Sequence, residues 1–251
     1  MSLYHSDPKK AKVMTLTDII RSVRLCIDEE AANSSSLAAT DNDTVLMNHI
    51  IEDKMADALR WVCLYAPAEL LGGSDEIKDG AAVSTGILID AVLRPGVTVE
   101  DKGVRLIDAD DGCTTLQMPD NFIKLARVRA QGWHKAVKTP ISEDSDEYLQ
   151  LYDTAGATAT PDRPVAAIID KAQAEIELWP AAEDTVQVTF VSSVDADTQA
   201  FTLSSEKHCP LPPRAKTAFT YYLAFLLLSA YNDPRAARML EIAKMNIGKG
   251  A

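Results

Sequence analysis

The sequence is short of the features by which enzymes and membrane proteins usually show themselves. No apolar run reaches the roughly 20 residues that a membrane-spanning helix needs. The longest, near the end of the chain, is bracketed by Arg214, Lys216 and Asp233. The opening MSLYHSDPKKAKVMTL has no apolar core of signal-peptide type, so cytoplasmic synthesis without export is expected. Cys26, Cys63, Cys113 and Cys209 lie far apart with no CxxC pair, which predicts reduced, mostly buried thiols and speaks against a metal site. His5, His49, His134 and His208 form no HxH or HxxxH pair, whereas zinc normally takes three or four His or Cys ligands. No GxSxG elbow and no GxxxxGK or GxGxxG phosphate loop is present. Internal repeats and low-complexity segments are missing too. Catalysis therefore has no residue set to stand on, and neither cofactor nor metal is implied.

What is present is ordinary in amount and uneven in placement. The 251 residues, 47% apolar and 25% charged, suit a soluble globular chain of one large domain or two small ones. The net charge is −12, and residues 81 to 205 carry 20 acidic against 10 basic side chains. The remainder holds 17 acidic and 15 basic, with basic ends: Lys9, Lys10 and Lys12 first, then Arg235, Arg238, Lys244 and Lys249. An acidic body argues against gripping a phosphate backbone. It suits a surface past which nucleic acid slides without sticking.

Residues 1 to 14 lack an apolar period and predict a mobile arm. A helix follows, capped by Thr15 or Thr17, with Leu16, Ile19, Ile20, Val23 and Ile27 at helical spacing. A second begins near Asp43 or Thr44, presents Met47, Ile50, Ile51, Met55, Leu59 and Val62, and stops before Pro67. After about residue 80 the period shortens into strand-like segments, including IKLARVRAQGW, VAAIID, AEIELWP and VQVTFVSS, separated by turn residues. The link PAAEDT between the last two is close to hairpin length. Helix returns at the end: Pro212 and Pro213 open one helix, and Asp233-Pro234 starts another carrying Ala237, Leu240, Ile242, Ala243 and Met245. Gly248 stops it. The expected fold is α+β: a helical bundle of N- and C-terminal helices with an inserted antiparallel β-sandwich or barrel. Its divisions are residues 1–80, 81–205 and 206–251.

Several local patterns invite a chemical reading, and each has a plainer one. Asp108-Ala109-Asp110-Asp111-Gly112 misses calcium-loop spacing, with Gly112 fifth and Pro119 twelfth, so a solvated Asp-Gly turn is preferred. Glu143, Asp144, Asp146 and Glu147 fit the cap of a loop or helix on a solvated face. Trp133, with Arg127, Arg129 and Gly132 before it, has the look of a base-stacking aromatic, but the acidic surroundings favour a structural role. Trp179 closes an alternating strand and is assigned to the core.

One stretch organises the rest. From Ala218 to Leu228 only Thr220 and two tyrosines carry polar side-chain atoms, so the helix is apolar around its circumference. Such a helix must be covered on every side. Either the chain's own N-terminal helices cover it or neighbouring copies do. The second possibility points to a ring-forming structural protein.

Read in order, the segments resemble phage head-to-tail connector proteins, the adaptor rings below the portal, and most nearly the tail tubular protein A type of short-tailed phages. The matching residues are Leu116 to Ile123 (LQMPDNFI), Arg127-Val128-Arg129, Gly132-Trp133, Pro164-Val165-Ala166 and Ile176-Glu177-Leu178-Trp179-Pro180. Leu211-Pro212-Pro213 and Arg235-Ala236-Ala237-Arg238-Met239 extend the match, as do the opening helices at 15 to 32 and 43 to 65. The arm before Thr15 and the expanded segment 72 to 114 depart from it. The resemblance implies no catalysis. It implies a virion protein of the neck, made in the host bacterial cytoplasm, that assembles as a ring of twelve copies. Its partners would be itself, the portal, and tail or further neck proteins, with DNA passing through the lumen without sequence-specific binding and no membrane contact. Arg235, Arg238, Lys244 and Lys249 are the candidates for portal contact, and Phe219, Tyr222, Phe225 and Leu226 for the contact between subunits. Two other classes stay open: a host-surface or carbohydrate-binding β-domain on a helical stalk, and an enzyme with a dispersed site.

Overall fold

The first helix, α1 (Leu16–Cys26), begins at a capping box: Asp18 N donates to Thr15 Oγ1 at 3.2 Å and Thr15 N donates to Asp18 Oδ2 at 3.3 Å. It belongs to a computed structural model that describes residues 15–27, 42–72, 76–78, 81–83, 87–94, 104–108, 112–153, 159–170, 174–192 and 211–248. The predicted arm with Lys9, Lys10 and Lys12, His5, His208, Cys209, Lys249 and residues 109–111 lie outside them. Among the described cysteines Cys63 and Cys113 are buried and Cys26 half-buried. No helix among the described residues is long and apolar enough to cross a membrane.

The chain divides into two compact units, Met1–Thr85 with Asp195–Ala251, and Gly86–Val194. In the first, α1 is followed by α2 (Asn42–Tyr65) and, beyond Pro67, the single turn α3 (Ala68–Leu71). A two-stranded antiparallel ribbon follows, β1 (Glu76–Lys78) with β2 (Ala81–Val83). After a 3-10 turn (Pro213–Ala215) come the last two helices, here called α5 (Lys216–Ala230) and α6 (Ala236–Gly248). α5 is the centre, packed against α1, α2 and α6. Arg214 ties its start to the turn after α2, donating from Nε to Leu70 O at 3.0 Å and from Nη2 to Gly72 O.

The inner face of α6 takes up only some of the apolar residues that the helix carries. Ala236, Met239, Ala243 and Ile247 are buried, whereas Ala237 and Met245 are exposed. At about 100° per residue the buried four fall on one narrow stripe, while Ala237, Leu240, Ile242, Ala243 and Met245 spread around the helix. Helical phase, not apolar count, decides which face packs.

The second unit holds two sheets. β3 (Leu88–Leu93), β10 (Val186–Ser192) and β6 (Phe122–Ala130) form one, antiparallel with β10 central. β4 (Arg105–Asp108), β5 (Thr114–Gln117), β9 (Glu175–Trp179), β8 (Val165–Asp170) and β7 (Ile141–Ser142) form the other in that order, antiparallel except for the β7–β8 pair. α4 (Asp146–Asp153) follows β7, so the acidic run at 143 to 147 does start a helix. Both sheets feed one core: Val128, Val188 and Phe190 from the first meet Leu116, Ile176 and Leu178 from the second.

The fold is thus mixed helix and sheet, with sheets that do not close into a barrel. The hairpin expected across 180 to 185 is also corrected, because β9 and β10 lie in different sheets. Pro180 has no N–H to continue a ladder. The next two amides turn back to β5 and the residues before it, Ala181 N to Gly112 O at 2.9 Å and Ala182 N to Thr114 Oγ1 at 2.8 Å. Gly112 has φ +80°, the left-handed conformation an Asp-Gly turn uses.

Candidate functional site

The last turns of α2 bring two aromatics to one side, because Trp61 and Tyr65 are four residues apart. Tyr222 and Phe225, three apart, do the same on α5. The rings meet: Trp61 stacks on Tyr222 with centroids 4.0 Å apart and planes 6° apart, and also packs on Tyr65 at 5.6 Å. Phe225 packs on Tyr222 at 5.3 Å. α6 closes the far wall with Leu240, Lys244, Ile247 and Gly248 around a groove of about 610 Å³. Trp61, Tyr222 and Phe225 are half-buried, and Tyr65 is 65% exposed. Burial, then the neighbouring Tyr65 and Asp57, pushes the Tyr222 phenol above its ordinary range.

The four predicted interface residues separate here. Tyr222 and Phe225 line the groove, and Leu226 is half-buried beside them in sequence. Phe219 is corrected: it has no exposed surface within one chain, since it sits on the inner stripe of α5 with Ala218, Leu223 and Leu227. The basic candidates separate as well. Lys244 stands in the wall of the groove and Arg238 is exposed on α6. Arg235 is engaged inside the chain. Its guanidinium meets Asp233, with Nη2 to Oδ2 at 2.8 Å, and donates through Nη1 to Ile27 O at 3.1 Å. Trp61 and Tyr65 were not anticipated as site residues. Their spacing at a helix end stopped by a proline was the available signal.

The second unit has a polar centre of its own. Glu177, on β9, is buried, and its carboxylate accepts from Tyr152 OH at 2.8 and 2.9 Å, Tyr148 OH at 3.1 Å and Trp179 Nε1 at 3.1 Å. Tyr148 and Tyr152 come from α4 at helical spacing, so the carboxylate fastens that helix to the sheet. Both phenols are pushed above their usual range, foremost by burial. Alternation would have turned Glu177 to solvent, and α4 covers it instead. Trp133 and Trp179 are 2% and 3% exposed. The Trp133 indole donates to Pro180 O at 3.2 Å, so neither ring is a platform for a base or a sugar.

Among the described residues no three His, Cys, Asp or Glu are grouped to hold a metal. His134 pairs with one carboxylate, Asp162, at 2.7 Å, and that exposed hydrogen bond lowers the Asp162 pKa. A hollow of about 330 Å³ at the end of the three-stranded sheet has Arg129 as the one ionisable side chain in its lining. Comparison with protein families finds no family model that matches the chain, and comparison with curated proteins finds no match.

Proposed function

We propose that the protein is a structural subunit that assembles side by side with copies of itself into an adaptor ring between portal and tail of a phage. The helical unit drawn from both chain ends is read as a bundle, with the two-sheet unit inserted between its halves.

One observation carries the reading. α5 is apolar all round, yet its own chain covers only part of it. Ala218, Phe219, Leu223, Ala224, Leu227 and Leu228 are buried, while Tyr221, Tyr222, Phe225 and Leu226 form a second stripe left half-buried and continued by Trp61 and Tyr65. A half-covered stripe of large apolar side chains beside an open groove is the surface a neighbouring copy would complete. Repeated head to tail, such a contact closes into a ring. Arg238 and Lys244 would then face acidic portal surface, and the net charge of −12 would let DNA pass without adhering.

The test is native mass spectrometry and negative-stain imaging of the full chain, alone and mixed with portal rings. Decorated portals or closed rings are expected, lost in a Phe225→Glu, Leu226→Glu variant that keeps its far-UV circular dichroism. A wild-type chain that stays monomeric and leaves portal rings bare would end the reading.

A further inference from the structure

β6 and β10 keep their register for one step past the buried pair Ala130 and Val186, where Gln131 N donates to Thr185 O at 2.7 Å. Side chains alternate along a strand, so the residues on either side of that buried pair turn outward together. The outer face therefore ends in two cross-strand pairs, Arg129 opposite Gln187 and Gln131 opposite Thr185. Opposite side chains stand about 5 Å apart and diagonal ones about 7 Å, which puts all four polar groups within reach of one small molecule.

Gly132 gives this end of the sheet its wall. With φ +88° it turns the chain sharply, and Trp133 N donates back to Ala130 O at 3.1 Å. The turn carries the Trp133 carbonyl to Arg129, whose Nε donates to it at 3.2 Å. Arg129, Gln131, Thr185 and Gln187, with the turn from Ala130 to Trp133, line the hollow of about 330 Å³. The bond from Nε holds the guanidinium at the wall and leaves Nη1 and Nη2 as a fork. Among the described residues no carboxylate pairs with Arg129, and the side chains of Gln131, Thr185 and Gln187 hydrogen-bond to no protein group.

We propose that this hollow binds a small hydroxy acid by its carboxylate. Arg129 donates from Nη1 and Nη2 to the two carboxylate oxygens, the side-by-side contact for which a guanidinium is shaped. The amides of Gln131 and Gln187 and the hydroxyl of Thr185 can each donate and accept, as the hydroxyl groups of such a ligand require. The volume lies at the lower end of small-molecule sites and suits one ring, not a polymer. Charge selects the anion. Glu183 and Asp184, just before Thr185, are exposed outside the lining and oppose a ligand of higher charge such as a phosphate dianion. Arg127, two residues back on the same face, also lies outside it, so one guanidinium meets one carboxylate. The inference rests on the second unit alone and stands whether or not the protein forms a ring.

The experiment is amide NMR of the isotope-labelled full chain titrated with sodium D-glucuronate at constant ionic strength. D-glucose and inorganic phosphate are titrated in parallel. Glucuronate should shift the Gln131 and Gly132 amides saturably, with a dissociation constant of about 1 mM, the level that two charge-assisted hydrogen bonds support. Arg129→Gln should weaken binding by about tenfold, and Arg129→Lys should recover little of it, because an ammonium offers no fork. Gln187→Ala, which keeps the guanidinium should Arg129→Gln fold poorly, should weaken it by about threefold. Arg127→Gln should leave the affinity unchanged. No saturable shift up to about 30 mM glucuronate overturns the proposal, as does full affinity in Arg129→Gln. Equal binding of D-glucose, or tighter binding of phosphate, overturns it too, since the carboxylate would not then be what the site selects.

Discussion

The indole of Trp61 lies flat on the phenol of Tyr222, 4.0 Å between centroids and 6° between planes, although 161 positions separate them in the chain. This stack joins α2 to α5 at the edge of the groove. Aromatic pairs contribute about 1 kcal/mol beyond the area they bury. Trp61→Ala should destabilise the protein by about 2 to 3 kcal/mol, below the range for fully buried rings because Trp61 is not fully buried. A double-mutant cycle with Tyr222→Ala, read by urea denaturation, should return a coupling of about 1 kcal/mol. Additive single effects would show that the two rings are only neighbours.

Glu177 presents a different kind of dependence. Two phenols and an indole donate to one buried carboxylate, so replacing it leaves three donors without their acceptor. Glu177→Leu should cost about 2 kcal/mol, the penalty being set mainly by the buried Trp179 N–H. The loss should be local. Hydrogen exchange should quicken across 146 to 153 while the amides of α5 stay protected. Equal quickening in both places would mean that the carboxylate supports the whole fold and not α4.

The same cluster fixes an alkaline limit. Burial and the hydrogen-bonded carboxylate raise the Tyr148 and Tyr152 phenols above their ordinary 10.0, and burial raises Tyr222. A folded pKa above the unfolded one contributes stability that is present below about pH 10 and disappears as pH rises through the folded value. Absorbance at 295 nm, assigned with Tyr148→Phe, Tyr152→Phe and Tyr222→Phe variants, should therefore show these three phenols ionising above pH 10. Ionisation of all three at their ordinary pH in the folded protein would refute the burial argument.

The parts of this fold that were legible in the sequence are those whose cause is local. Thr15 with Asp18, Pro67 after Tyr65, and Asp233-Pro234 before the last helix each act within a turn of the boundary they set. β5 was hidden because four residues, TTLQ, with two buried on one face are too few to establish a period. The separation of β9 from β10 was hidden for another reason: sheet partners are chosen over long range, and Leu178 pairs with Thr114 and Ala166 rather than with the strand that follows. The groove follows the same division. Tyr222, Phe225 and Lys244 were marked by an apolar run and a basic end. Trp61 gained significance only when α2 came to lie beside α5.

Arg235, a candidate for portal contact, supplies the last prediction, since it also holds its own chain together. Its guanidinium joins the carbonyl at the end of α1, Ile27 O, to Asp233 at the start of α6. Arg235→Ala should lower the melting temperature by about 2 to 4 °C, the effect of one charge-assisted hydrogen bond in a chain of this size. Arg235→Lys should recover little, because an ammonium cannot reach both partners as a planar fork does. Acid separates this clamp from simple packing. Hydrogen bonds from Arg235 hold the Asp233 carboxyl below its ordinary 3.8, and a depressed folded pKa gives stability present above the unfolded value and lost as pH falls through the folded one. The gap between wild type and Arg235→Ala should accordingly be constant from pH 7 to 5 and narrow below about pH 3.8. A gap unchanged in acid would locate the contribution of Arg235 in its contact with Ile27 and leave the carboxylate without a part in it.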